Sequence, residues 1–458
     1  MEMDMGRDLG LLRPEIVTVL TGVAALVLGM LRRQRWALPT AVAGLLVATW
    51  LSLPLVGENT TAFMGTYRID DLAVWAKLIL LPAAALAIVL ASPEVRDSDR
   101  EATVYSLLAF VTAGSVALAS AGDVMFIVLG VLLTSLGSFA LVAYPRDDRA
   151  TEASMKYFVF GAVSGAVMIF GLTFWFGATG STLLADLGRL EATPLPAAAG
   201  LVAVLVGLGY KAAIAPFHFW APDAYDGGPI AIAAYLSVVP KIGAIFAIAV
   251  AVRSLPAVGV DWRLVIAALA VVSMTYGNLA ALPQTNVVRL LAYSSIAQAG
   301  YFLLGVAALG QSVLAVPSLV VFAAAYAAMN LGAFAVTLGV GKELTAFAGL
   351  GWSRPWAGAA MVVFLLSLVG VPPLAGFAGK LLLFGAAIDA GMTWLAVVAI
   401  LNSVLSLAVY LRIVVPMYRT SVAIQPLARA AAAVSAVAVL ATLAIGLGVE
   451  LLTSALAP

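Results

Sequence analysis

The chain of 458 residues is 63% hydrophobic and 10% charged, with a mean hydropathy of +1.09 and a formal charge of +1. A water-soluble domain carries about 25% charged residues, so a soluble enzyme is excluded, and near-neutral charge argues against a nucleic-acid partner. The absence of cysteine removes disulfides, iron-sulfur clusters and thiolate sites, and a lone histidine, His218, removes bis-histidine haem and histidine-rich metal centres, so neither metal nor cofactor is expected.

Apolar runs of about 20 residues, the length that crosses a bilayer at 1.5 Å per residue, recur from end to end. Predicted spans are 11–31, 37–56, 71–92, 103–120, 123–144, 153–178, 195–215, 229–252, 263–283, 288–309, 313–339, 356–385, 392–416 and 428–454. The expectation is an all-α integral membrane protein of about fourteen transmembrane helices. The leading MEMDMGRDLGLLRPE has acidic residues and no small-residue cleavage site, which reads as a retained first helix and not a signal peptide. Residues 181–192, STLLADLGRLEA, are amphipathic and fit a surface segment.

Sorting basic residues by alternating loop places Arg32, Arg33, Arg35, Arg96, Arg100, Arg146, Arg149, Arg289, Lys342, Arg354, Arg412, Arg419 and Arg429 on one side. Arg7, Arg13, Arg68, Arg189, Arg253 and Arg263 fall on the other. The richer side is expected to be cytoplasmic, with both termini outside. Alanine, valine and glycine richness fits a bacterial cytoplasmic membrane.

Lys77, Lys156, Lys211, Lys241 and Lys380, five of the six lysines, fall within predicted spans, whereas the arginines fall outside them or within five residues of their ends. A charged side chain in hydrocarbon costs roughly 2.5 to 3.5 kcal/mol on insertion scales, so these positions need a reason. Unlike arginine, a buried lysine can gain and lose a proton. The plain alternative is snorkelling to the interface, and it has most force for Lys77 and Lys156, which lie near span ends.

Two spans are interrupted. GLGYKAAIAPFHFWAPDAYDGGP places Lys211 just before Pro216, and LLSLVGVPPLAGFAGK places Lys380 just after Pro372 and Pro373. If 103–253 and 262–418 are five-helix units, both breaks fall in the fourth member. Five spans is an odd number, so the units would be inverted repeats, flanked by a three-helix segment, 1–102, and a final helix, 427–458. Proline and glycine interruptions at matching places in two halves are a pointer to a transporter's midplane site; the bland alternative is two kinked helices.

The strings PFHFWAPDAYDGGP, LLAYSSIAQAGY at 290–301, YAAMNLGAF at 326–334, EASMKYFVFGA at 152–162 and LVGVPPLAGFAGK resemble the antiporter-like membrane subunits of respiratory complex I, nearest the smallest of the three. The resemblance covers roughly residues 70–420. It implies fourteen helices with inverted five-helix repeats, in one subunit of a proton-pumping NADH:quinone oxidoreductase whose redox chemistry is done by other subunits. It implies that Lys211, Lys241, Lys380 and Lys156 are members of a hydrated proton path, with sibling membrane subunits as partners.

Two positions depart from the pattern. Leu132 stands where the family carries a glutamate thought to pair with Lys211, and Gln298 where histidine is common; glutamine can hold water but cannot take up charge. Candidate relay residues are Gln298, His218, Ser294 and Ser295, with His218 expected to cap the interrupted helix. Asp223 and Asp226 are expected in a loop, solvated or capping. Alternatives are a cation/proton antiporter or hydrogenase-type subunit, disfavoured by the scarcity of acids in the spans, and a non-pumping scaffold, motivated by Leu132 and Gln298.

Overall fold

In a computed structural model, residues 4–96, 98–256, 261–419 and 426–456 are described. Sixteen helices build the bundle: α1 Arg13–Met30, α2 Ala37–Ser52, α3 Asp71–Val95, α4 Glu101–Ala119, α5 Val124–Val142, α6 Asp148–Thr179, α7 Pro194–Ala212 and α8 Ala221–Gly227. They continue with α9 Ile230–Arg253, α10 Trp262–Ala281, α11 Val287–Ala307, α12 Ala315–Val340, α13 Pro355–Val369, α14 Ala375–Asp389, α15 Thr393–Arg419 and α16 Arg429–Leu447. Thirteen helices among the described residues are long and apolar enough to cross a membrane. The fourteenth crossing is α13 with α14, so the predicted span 356–385 is two half-helices.

Helix starts follow the acidic residues. Asp70, Asp123, Asp147 and Asp261 each accept a bond from a backbone N–H in the first turn of α3, α5, α6 and α10, and Asn286 does so for α11. The start of α9 is capped from a distance: Glu94 at the end of α3 accepts from the N–H groups of Ile230 and Ala231 at 2.9 and 2.8 Å.

At the two breaks the ladder stops on a left-handed residue, Ala213 at φ 52° and Gly370 at φ 98°. The freed donors are taken up locally. Ala215 N–H bonds Ser273 Oγ at 3.0 Å, and Gly376 N–H bonds Ser367 Oγ at 3.0 Å. Irregular backbone at membrane depth is tolerated only with such internal partners. Ala215–Pro216 and Pro372–Pro373 are both cis.

α9 is buried along its whole length and α11 and α12 nearly so, while α1, α6 and α16 lie at the periphery. The three central helices are apolar all round, as a helix with neighbours on every side must be. The amphipathic 181–192 becomes a 3-10 segment, Leu184–Ala192, whose Leu184, Leu187 and Leu190 share the buried face, as residues three apart do in that geometry. A feature outside the predicted spans is a hairpin of β1 Thr60–Ala62 against β2 Tyr67–Ile69.

Candidate functional site

The break after α7 aims Lys211 inward, 1% exposed. Its Nζ donates to Tyr157 OH at 3.0 Å and Ser135 Oγ at 3.3 Å, and lies 5.3 Å from the centre of the Tyr157 ring. Tyr157 is fixed by stacking on Trp220 at 4.1 Å between ring centres, and Trp220 Nε1 donates to Tyr210 O. The turn that follows the break thus positions the partner of a lysine on the helix before it.

Lys241, on the buried α9, is 0% exposed and donates to Ser295 O at 2.9 Å and Ser295 Oγ at 3.1 Å. One turn before it, Ser237 accepts from Asn330. Lys380, 2% exposed, donates to the carbonyls of Leu368 and Val369, each at 2.9 Å, and to Ser403 Oγ at 3.1 Å. These two carbonyls are freed by the α13 break, so the interruption builds the pocket for its own lysine. Lys380 Nζ also lies 3.9 Å from the Tyr301 ring centre.

A polar chain runs from α11 toward Lys380. Ser294 Oγ meets Tyr410 OH at 2.7 Å, Gln298 Nε2 donates to Tyr410 OH at 3.3 Å and to Leu368 O at 3.1 Å, and Leu368 O also accepts from Lys380. Ser295, beside Ser294, holds Lys241. A cleft of about 260 Å³ between α14 and α15 reaches Lys380 from the surface, past the exposed Leu381 and Val404. None of the three lysines pairs with a carboxylate among the described residues.

Several expectations need correction. Leu132 is 48% exposed on the outer face of α5, while Ser135, almost one turn on, is the residue that meets Lys211. The departure from the family glutamate therefore lies on the subunit's surface. His218 does not cap through its ring: its backbone carbonyl accepts from Ala221, and the buried imidazole packs on Phe219 and Tyr276, with Nδ1 lacking a partner among the described residues. Lys77 does not snorkel; it is fully buried and ion-paired with Glu15 at 3.0 Å.

Lys156 stands apart from the other three. Its side chain is 42% exposed and paired with Glu152 at 2.8 Å and Asp223 at 2.9 Å. Asp223 and Asp226 lie on α8 and not in a loop, and they are ion-paired: Arg289 holds Asp223 at 2.7 Å and Arg149 holds Asp226 at 3.1 Å. Partial burial would raise the Asp223 pKa, but hydrogen bonds from Arg289 and Lys156 outweigh it and hold the carboxyl below its ordinary range.

Sequence reasoning missed Ser135, Tyr157, Tyr301, Tyr410 and Ser403 as partners. Hydroxyls in apolar spans most often bond their own helix, and nothing in their spacing marks them out.

A bundle of apolar, membrane-length helices with two breaks, each beside a buried lysine, has the architecture of the antiporter-like class of membrane subunits. The NADH:quinone oxidoreductase/Mrp antiporter transmembrane family model matches residues 121–406. NADH-quinone oxidoreductase subunit N 1 of Streptomyces griseus is 40% identical over 471 residues, covering 100% of this chain and 99% of that protein. The F420H2 dehydrogenase subunit N of Methanosarcina mazei is 38% identical, covering 89% and 88%. A chain of respiratory complex I from Thermus thermophilus, solved with bound aureothin, is 32% identical with a TM-score of 0.86, covering 97% of this chain and 99% of that one. The chain belongs to this family, as an antiporter-like membrane subunit of the complex I kind.

Proposed function

We propose that this chain translocates protons within a complex I of the NADH:quinone oxidoreductase type, beside other membrane subunits, through a path of Lys211, Lys241 and Lys380, with Lys156 at one mouth. Gln298, Ser294 and Ser295 are its relay residues, and His218 lines the break near Lys211. The observation that carries the reading is the lysine set: three ammonium groups buried in a helix bundle, solvated by hydroxyls and freed carbonyls instead of carboxylates. A carboxylate partner would hold each lysine charged, whereas hydroxyl partners serve a lysine that has to release its proton.

The units 103–253 and 262–418 act as two half-channels, with 1–102 and 427–458 as flanking segments. The arginine-rich end faces the cytoplasm, so both termini lie outside a bacterial inner membrane. The chain contributes translocation and holds no redox centre. One relative takes part in F420H2 oxidation, which fits a subunit that moves protons whatever the electron donor.

The test is Lys241→Ala in the assembled complex, reconstituted into vesicles. Quinone reduction is expected to continue with fewer protons moved per electron; an unimpaired ratio removes the central lysine from the path.

A further inference from the structure

The ion pairs on α8 gather around Lys156, the mouth of the proposed path. Asp223 and Asp226 lie three residues apart on one face of α8. Each is held from both halves of the molecule. Asp223 is gripped by Lys156 of α6 at 2.9 Å and by Arg289 of α11 at 2.7 Å. Asp226 is gripped by Arg149 of α6 at 3.1 Å and by Asn286, before α11, at 2.9 Å. Lys342, after α12, donates to Asp226 O at 2.5 Å and lies 3.8 Å from its carboxylate. Glu152 completes the charged set, pairing with Lys156 at 2.8 Å.

These groups line or border a polar cavity of about 150 Å³ that opens at the arginine-rich end, with Lys156, Asp223, Asp226 and Arg289 in its wall. The cavity is one residue from the path. Lys156 faces it, and the neighbouring Tyr157 accepts the bond from Lys211. Contact between α8 and α6 is close: a Cβ on Gly227 would fall 2.4 Å from Ala153 Cβ and 2.9 Å from Arg149 O.

We infer that Asp223 and Asp226 form a two-carboxylate clamp that closes the cytoplasmic mouth over Lys211, and that release of α8 from Lys156 and Arg149 is the step that admits protons from the cytoplasm. The inference rests on the proton-path reading above. The clamp suits a gate because each carboxylate has a partner in each half. When α8 leaves α6, Asp223 and Asp226 each lose one ion pair but Arg289, Asn286 and Lys342 still hold them, so neither carboxylate is left without a partner. Mixed charges at a partly exposed site also make and break at modest cost, as a gate that cycles each turnover requires.

The chain has no cysteine, so a lock can be introduced cleanly. In the reconstituted complex, Ala153→Cys combined with Gly227→Cys would tie α8 to α6; a disulfide needs a Cβ separation of about 3.8 Å, reached by a shift of about an ångström. Oxidation is expected to drop proton movement per electron to the level of Lys241→Ala, and reductant to restore it. Oxidised and reduced forms that pump equally overturn the gate. If Lys241→Ala also pumps normally, the path reading falls with it; if Lys241→Ala fails to pump, only the gate falls. Should the cysteine pair fail to assemble, Asp223→Asn serves: faster passive decay of an imposed proton gradient supports the clamp, and unchanged decay with unchanged pumping overturns it.

Discussion

Glu15 and Lys77, neither of them in the proposed path, tie the first and third spans together, and their pairing predicts a strongly non-additive pair of mutations. Lys77 is fully buried, its Nζ 3.0 Å from Glu15 Oε1, and the Glu15 side chain is 11% exposed. Tyr67 OH donates to the same carboxylate oxygen, and its ring centre lies 5.3 Å from Lys77 Nζ. Glu15→Leu keeps roughly the size of the side chain but leaves a buried ammonium without its counter-charge, which costs about 3 to 5 kcal/mol, and Lys77→Met strands the carboxylate at a similar cost. Replacing both, Glu15→Leu with Lys77→Met, removes both charges together and leaves only the Tyr67 hydroxyl without its acceptor, so it should cost far less than the two singles combined. Unfolding of the solubilised protein in mixed detergent, followed for parent, single and double variants, gives the cycle. An interaction of at least about 3 kcal/mol is expected. Singles and double that add within about 0.5 kcal/mol would refute the reasoning, because the ion pair would then contribute nothing beyond its parts.

Three further outcomes follow from the geometry. A Cβ on Gly376 would fall 1.7 Å from Ser367 O inside the α13–α14 turn, so Gly376→Ala should force that turn open, costing about 1 to 3 kcal/mol in unfolding measurements; an unchanged midpoint contradicts the packing. Gln298→Leu removes the donor shared by Tyr410 OH and Leu368 O, and is expected to lower protons moved per electron while quinone reduction persists; an unchanged ratio takes Gln298 out of the relay. The third concerns pH. The Asp223 carboxyl is held below its ordinary range, so its contribution is fully present above the unfolded value of about 3.9 and is lost only as pH falls through the lower folded value. The stability gap between the parent and Asp223→Asn should therefore stay constant from pH 8 to pH 5; a gap that closes within that window contradicts the assignment.

The spans, both breaks and the buried lysines were legible because each depends on local chemistry: the length of apolar runs, proline and glycine, and the cost of an amine in hydrocarbon. Facing was not. Helices such as α5 and α9 are apolar on every side, so no amphipathic phase says that Ser135 points inward while Leu132 points out. The role of Lys156 turned on a boundary. α6 begins at Asp148, earlier than the predicted 153, which puts Lys156 about 12 Å along the helix, within reach of the carboxylates of α8. Those carboxylates read as loop residues because Pro222 and the Gly227–Gly228 pair are turn signals, yet here the proline sits at the N-terminus of α8 and the glycines at its end, positions where both are at home. The Glu15–Lys77 pair links residues 62 positions apart, and pattern reading has no access to such a contact.

The central claim is that buried lysines carry a proton and are not fixed charges. Lys241→Arg separates the two, since arginine keeps the positive charge but does not release it. Measured in the reconstituted complex, the account predicts that Lys241→Arg moves as few protons per electron as Lys241→Ala. A Lys241→Arg complex that pumps like the parent would contradict it, showing that a static cation at that position is sufficient.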